Sequence, residues 1–193
     1  MKPILLLILI LLAMNTYSQS ELPLSEVKEN PEKYSATLVV SRMIEGAGLR
    51  YYWATHELRP EDLDFKPSEE ARTCRETLEH IHGLSQTILS ASKKRVNSYE
   101  DASEWEFETI RKKTLENFEE ARLIFRHDPE GDLSSYEAIF QGKSGERKYP
   151  FWNMINGPIE DAVWHVGQVV SFRRSSGNPF PGDKISLFSG KRR

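Results

Sequence analysis

Asp161 and His165 stand four residues apart in the segment Pro158-Ile159-Glu160-Asp161-Ala162-Val163-Trp164-His165-Val166-Gly167-Gln168. Positions four apart share one face of an α-helix, so an oxygen and an imidazole nitrogen can aim at one point. That is half of a metal site. The apolar positions Ile159, Ala162, Val163, Val166, Val169 and Val170 form a core-facing stripe, with Asp161, His165 and Gln168 along its flank. Two readings fit this stretch taken alone: an inward-facing ligand pair, or an i,i+4 pair on a solvated helix surface. A third ligand from elsewhere decides between them. His80 and His82 are the candidates, on either side of Ile81. Two helical residues span about 200°, so they point to opposite flanks and only one can join a given site. Spacing alone does not choose.

Four helices are expected to position these residues. The first spans about residues 35–58, with Leu38, Met43, Ile44, Ala47, Tyr51, Ala54 and Leu58 at helical spacing. Pro60 breaks it, and Leu63 and Phe65 fold back onto the core. Ser68, followed by Glu69 and Glu70, has the form of an N-cap for a second helix running to about Lys93 on the stripe Cys74, Leu78, Ile81, Ser85, Ile88. Ser103-Glu104-Trp105-Glu106 has the capping-box form and opens a third helix that reaches about Arg126. Residues 128–149 carry Gly131, Gly142 and Gly145 and hold a short strand or a helical turn. A helical segment begins at 150–156, and Gly157-Pro158 either kinks it or ends it before the last helix, which stops near Arg174 ahead of Gly177. His56 is read as a surface or cap residue, His127 as a helix C-terminal residue, and Cys74 as part of a core stripe.

The chain of 193 residues is long enough for one domain with a buried core. A formal charge of -3 gives no global basic field, which excludes a general nucleic-acid binder, and Lys191-Arg192-Arg193 reads as a solvated tail. The single cysteine, Cys74, rules out an intramolecular disulfide and any multi-thiolate zinc site. Met1-Lys2-Pro3 precedes eleven apolar residues, Ile4 to Met14, a run well short of the roughly 20 that a span needs. Residues 1–18 read as a secretory signal peptide, with cleavage after Ser18 or after Ser20. No cysteine follows the apolar run to carry a lipid, so the mature protein is expected to be exported without a stable membrane span. An irregular lead-in over 19–34, a helical domain over 35–178 and a loosely packed tail over 179–193 complete the expected organisation.

Three segments in this order, Leu58-Arg59-Pro60-Glu61-Asp62-Leu63-Asp64-Phe65-Lys66-Pro67, Glu76-Thr77-Leu78-Glu79-His80-Ile81 and Trp164-His165-Val166-Gly167-Gln168, resemble the DinB-like family of four-helix metal-binding proteins. The resemblance covers about residues 35–178 and implies an all-α four-helix bundle with irregular connections between helices one and two and between three and four. It also implies a ligand set. His80 falls on the family's helix-two histidine and His165 on its last one, while the middle histidine of the family is replaced here by Asp161. A carboxylate still coordinates, giving two histidines and one acid around zinc, nickel or iron. Gln168, after the family's Gly-Gln step, is placed to orient a ligand through a hydrogen bond. By resemblance the activity is hydrolysis or thiol transfer on a small-molecule substrate, and bundles of this kind pair through a helix face as homodimers. Export argues against thiol transfer, since low-molecular-weight thiol cosubstrates are chiefly cytoplasmic. The alternatives are a non-enzymatic metal- or ligand-binding bundle and a structural bundle without metal.

Overall fold

The computed structural model of the protein describes residues 22–28 and 30–193. The signal peptide read over 1–18 and its cleavage sites lie outside the described residues. Four long helices carry the fold: α1 (Ala36–Ala54), α2 (Cys74–Ser92), α3 (Phe107–Arg126) and α4 (Glu160–Ser175). Each of α1 and α2 packs on both α3 and α4. Their apolar stripes meet in one core that includes Ile44, Tyr51, Leu78, Ile81, Leu115, Phe118, Val166 and Val169. Among the described residues, no helix is long and apolar enough to cross a membrane.

The helix ends are set by specific partners. Ser35 caps α1, its hydroxyl accepting from Leu38 N. At the other end α1 stops at Ala54, short of the expected Leu58. The guanidinium of the buried Arg173, on α4, donates to the carbonyls of Trp53, Ala54 and His56 at 3.0–3.2 Å. Those are carbonyls that a helix end leaves without partners, so the cation ends α1 by satisfying them from outside. For α2, the expected Ser68 cap is displaced to Thr73. Thr73 Oγ1 accepts from Glu76 N at 3.1 Å while Glu76 Oε2 accepts from Thr73 N at 2.7 Å, a reciprocal pair that Ser68 cannot match. The stripe Cys74, Leu78, Ile81, Ser85, Ile88 is buried throughout. For α3, the expected box at Ser103 does not form. Arg75 of α2 donates to the carbonyls of Ser103 and Trp105 and holds that stretch as a turn, so α3 starts at Phe107.

The architecture is predominantly helical but not purely all-α, which corrects the expectation for the third connection. Glu137–Gly142 (β1) and Gly145–Pro150 (β2) pair antiparallel, closing at Gly142↔Gly145, where Gly145 takes φ +109. A β-strand needs only one buried face, and here Ala138 is buried while every residue of β2 is exposed. The strand-or-turn reading of 128–149 thus resolves to a hairpin. Tyr136 and Phe151, at its two bases, pack edge-on and tilted around Phe125 of α3.

The tail is also more ordered than expected. Ile185–Ser186 (β3) pairs with Lys191–Arg192 (β4), Ile185 is buried, and Val27 N donates to Gly190 O at 2.8 Å. The tail therefore clasps the lead-in.

Candidate metal centre

The approach to the centre is a distorted helix. Trp152–Met154 begins a helical turn, Ile155–Ile159 forms a wide π-type turn, and α4 continues from Glu160. Gly157 departs from helical geometry at φ -93, ψ -114, and Pro158 has no backbone N–H to give. Of the two readings of Gly157-Pro158, the structure takes the kink. Turns of this kind recur beside functional sites because they set the rotation of the helix that follows. Here it is followed at once by Asp161.

On α4 the stripe Ile159, Ala162, Val166 and Val169 is buried, and Val170 is half-buried. Val163, expected in that stripe, is 38% exposed instead, because the buried face of α4 is narrower than the sequence suggested. Asp161, His165 and Gln168 run along the flank that faces α2. His80 meets them from α2, with Nε2 3.3 Å from Asp161 Oδ2. His165 Nε2 lies 3.4 Å from Asp161 Oδ1, and the two imidazole rings meet edge to face at 4.5 Å. One donor atom from each of the three residues can be chosen so that all lie within 4.8 Å of one another. In a tetrahedral site with bonds of about 2.0–2.1 Å, neighbouring donors sit about 3.3–3.4 Å apart. The two histidine–aspartate contacts are of that length, each to its own carboxylate oxygen.

Protonation suits the same role. Gln168 Oε1 accepts from His165 Nδ1 at 2.7 Å, which in the neutral ring places the proton on Nδ1 and leaves the lone pair on Nε2, facing Asp161. This is the outer hydrogen bond that metal-binding histidines use to fix their tautomer. For His80, burial and then the neighbouring His165 lower the pKa below the usual histidine value, against the opposing pull of Asp161. A free base near neutral pH is what a ligand must be. His165 is the most enclosed of the three, while His80 and Asp161 open to solvent, so a bound ion would be reachable from outside.

The other histidines go elsewhere. His82 turns to the far side of α2, buried, with Nδ1 3.1 Å from Thr114 Oγ1 and its ring against Trp105. The ambiguity between His80 and His82 is settled by which flank of α2 faces α4. His56 stacks on Tyr52, and His127 is the C-cap of α3. Glu79, the acid beside His80, is paired with Arg75 at 3.0 Å. The wide turn ahead of Asp161 is the positional element that sequence reading left undecided; Gly157-Pro158 was its signal. No family model, curated protein or solved structure matches the chain, so the DinB-like resemblance rests on the three segments that carry it, and geometry adds a helical bundle with a His80, Asp161, His165 group.

Proposed function

We propose that the protein binds one divalent metal ion, zinc, nickel or iron, through His80, Asp161 and His165, and uses it in a hydrolytic reaction on a small molecule. The observation that carries this reading is the convergence of the three donor atoms, with the tautomer of His165 fixed by Gln168. Two neutral imidazoles and one carboxylate leave open positions, where a bound ion supplies Lewis-acid activation of water or of a substrate carbonyl. The chain's own residues hold and orient: Asp161 contributes the negative charge, His80 and His165 the lone pairs, and Gln168 the ring orientation. Export, read from residues 1–18, favours hydrolysis over transfer of a cytoplasmic thiol. Pairing of two copies through a helix face is part of the same proposal. A non-enzymatic metal-binding bundle is the second reading, favoured by the engagement of Glu79, the acid beside His80, with Arg75.

Elemental analysis tests the site. Mature protein purified without a polyhistidine tag is expected to carry about one equivalent of metal, the stoichiometry of a single three-ligand site, and Asp161→Ala, His80→Ala and His165→Ala are expected to lose it. Retention of metal by both histidine variants would sink the proposed ligand set. Metal-dependent turnover on a panel of esters, amides and thiol adducts then separates the enzyme from the non-enzymatic bundle.

A further inference from the structure

A cavity of about 260 Å³ opens between the lead-in, α1 and α3, across the bundle from the metal centre, and none of the described residues lining it belongs to α2 or α4. It has room for about nine waters, or for a ligand of about as many heavy atoms. Arg122 and Arg126 of α3, one turn apart, stand on its wall. Arg122 is a buried cation, only 5% exposed. Its Nε and Nη2 donate to Glu119 at 2.6 and 2.5 Å, while Nη1 lies 3.9 Å from Glu45 Oε1, too far for a hydrogen bond. Unlike the sealed, unpartnered atoms of the core, such as His82 Nε2, that nitrogen keeps accessible surface, so its protons are offered to the cavity.

The charges around the cavity do not cancel. Glu45 is the one acid among the described lining residues, and it is already used: Oε1 accepts from Lys28 N at 2.9 Å, and Oε2 takes Arg42 Nε at 2.9 Å. Arg126 is half-buried and has no carboxylate partner among the described residues. Even with Glu119 counted, Lys28, Arg42, Arg122 and Arg126 outnumber the acids beside them. A half-buried guanidinium without a counter-ion is unfavourable, and a carboxylate that takes its N–H groups relieves it. The facing wall is apolar. Leu38, Val39 and Met43 of α1 form it, and Val39 is left 48% exposed. An acid with a hydrocarbon body suits both walls, whereas an inorganic anion suits only one.

We propose that this cavity is a second binding site, separate from the metal centre, for a small aliphatic monocarboxylate whose carboxylate is taken by Arg122 Nη1 and Arg126 and whose chain lies on Leu38, Val39 and Met43. Hexanoate is the probe, titrated into full-length mature protein carrying 15N-labelled arginine. The side-chain N–H resonances of Arg122 and Arg126 are expected to shift saturably, and to do so in His165→Ala as well, which separates this cavity from a carboxylate bound at the metal centre. Sulfate has the charge without the chain, and hexanol the chain without the charge. Neither is expected to give a saturable shift. In Arg126→Gln the affinity for hexanoate, read from the Arg122 resonance, is expected to fall about fivefold, as for loss of one partly exposed ion pair. Arg147→Gln, which removes an exposed cation of β2, is expected to leave it unchanged. Arginine resonances that ignore hexanoate mean that the cavity holds water only, and the proposal fails. Equal responses to sulfate or hexanol, loss of the response in His165→Ala, undiminished binding in Arg126→Gln, or an equal loss in Arg147→Gln overturn it as well.

Discussion

Gln168 accepts from His165 Nδ1 at 2.7 Å and so determines which imidazole nitrogen is offered to the centre. Gln168→Leu keeps the size of the side chain but frees the ring to take the other tautomer. The expected result is a 10–100-fold weaker metal affinity with an unchanged circular dichroism spectrum, measured by competition against a chromophoric chelator. Asp62 makes a different single-residue case. Burial alone would raise its pKa, but hydrogen bonds from Arg59, Asn178 and Ser176 outweigh that and hold the carboxyl well below its ordinary range. Because the folded pKa is depressed, the stabilisation is present in full above about pH 4, the unfolded value, and drains away as pH falls toward the folded one. Urea melts over an acid series should show this loss in the parent. Asp62→Asn should be less stable at neutral pH and flatter across the series. Asp161 and His165 were readable from their spacing because a helix converts four residues into one face. The choice of His80 over His82 was not readable from spacing, since it depends on which neighbour lies against each flank of α2.

At the scale of elements, two stretches carried the same capping pattern and only one caps. Thr73-Cys74-Arg75-Glu76 and Ser103-Glu104-Trp105-Glu106 both place an acid three residues after a hydroxyl. The first closes on itself, whereas the second is held as a turn by Arg75 reaching across from α2. At α3 a contact between distant residues overrides a local preference, whereas α2 starts at a local cap five residues beyond Ser68; the buried stripes of both helices were legible. Thr73→Ala is expected to lower stability by about 1 kcal/mol in urea denaturation, and Ser68→Ala to leave it unchanged. The β1–β2 hairpin was illegible for a related reason. Glu146, Arg147 and Lys148 are all exposed, so β2 shows none of the alternation by which a half-buried strand announces itself.

Across the whole molecule, the four-helix arrangement followed from apolar periodicity, but the clasp between lead-in and tail did not. Few apolar residues mark the tail, and its attachment is largely main-chain and ionic: Lys191 Nζ donates to Val27 O at 2.8 Å, and Arg192 N to Glu26 Oε1 at 2.8 Å. Gly190 lets the strands close. It has φ +69, and a Cβ there would stand 2.2 Å from Val27 Cγ2. Gly190→Ala is therefore expected to destabilise by more than about 1 kcal/mol, from both the backbone conformation and the clash. A lowered thermal midpoint with unchanged helical content is the expected readout, because the four helices do not depend on the clasp for their own hydrogen bonds.

The clasp also imposes an order in time. Val27 and Lys191 are 164 residues apart, so a chain made from its amino end finishes α1 long before the tail half of the clasp exists. Loop closure over such a span comes after the local helices have formed. Until residues 185–192 arrive, α1 holds the lead-in, through Trp53 Nε1 to Ser25 O and Lys28 N to Glu45 Oε1, and the tail closes over it last.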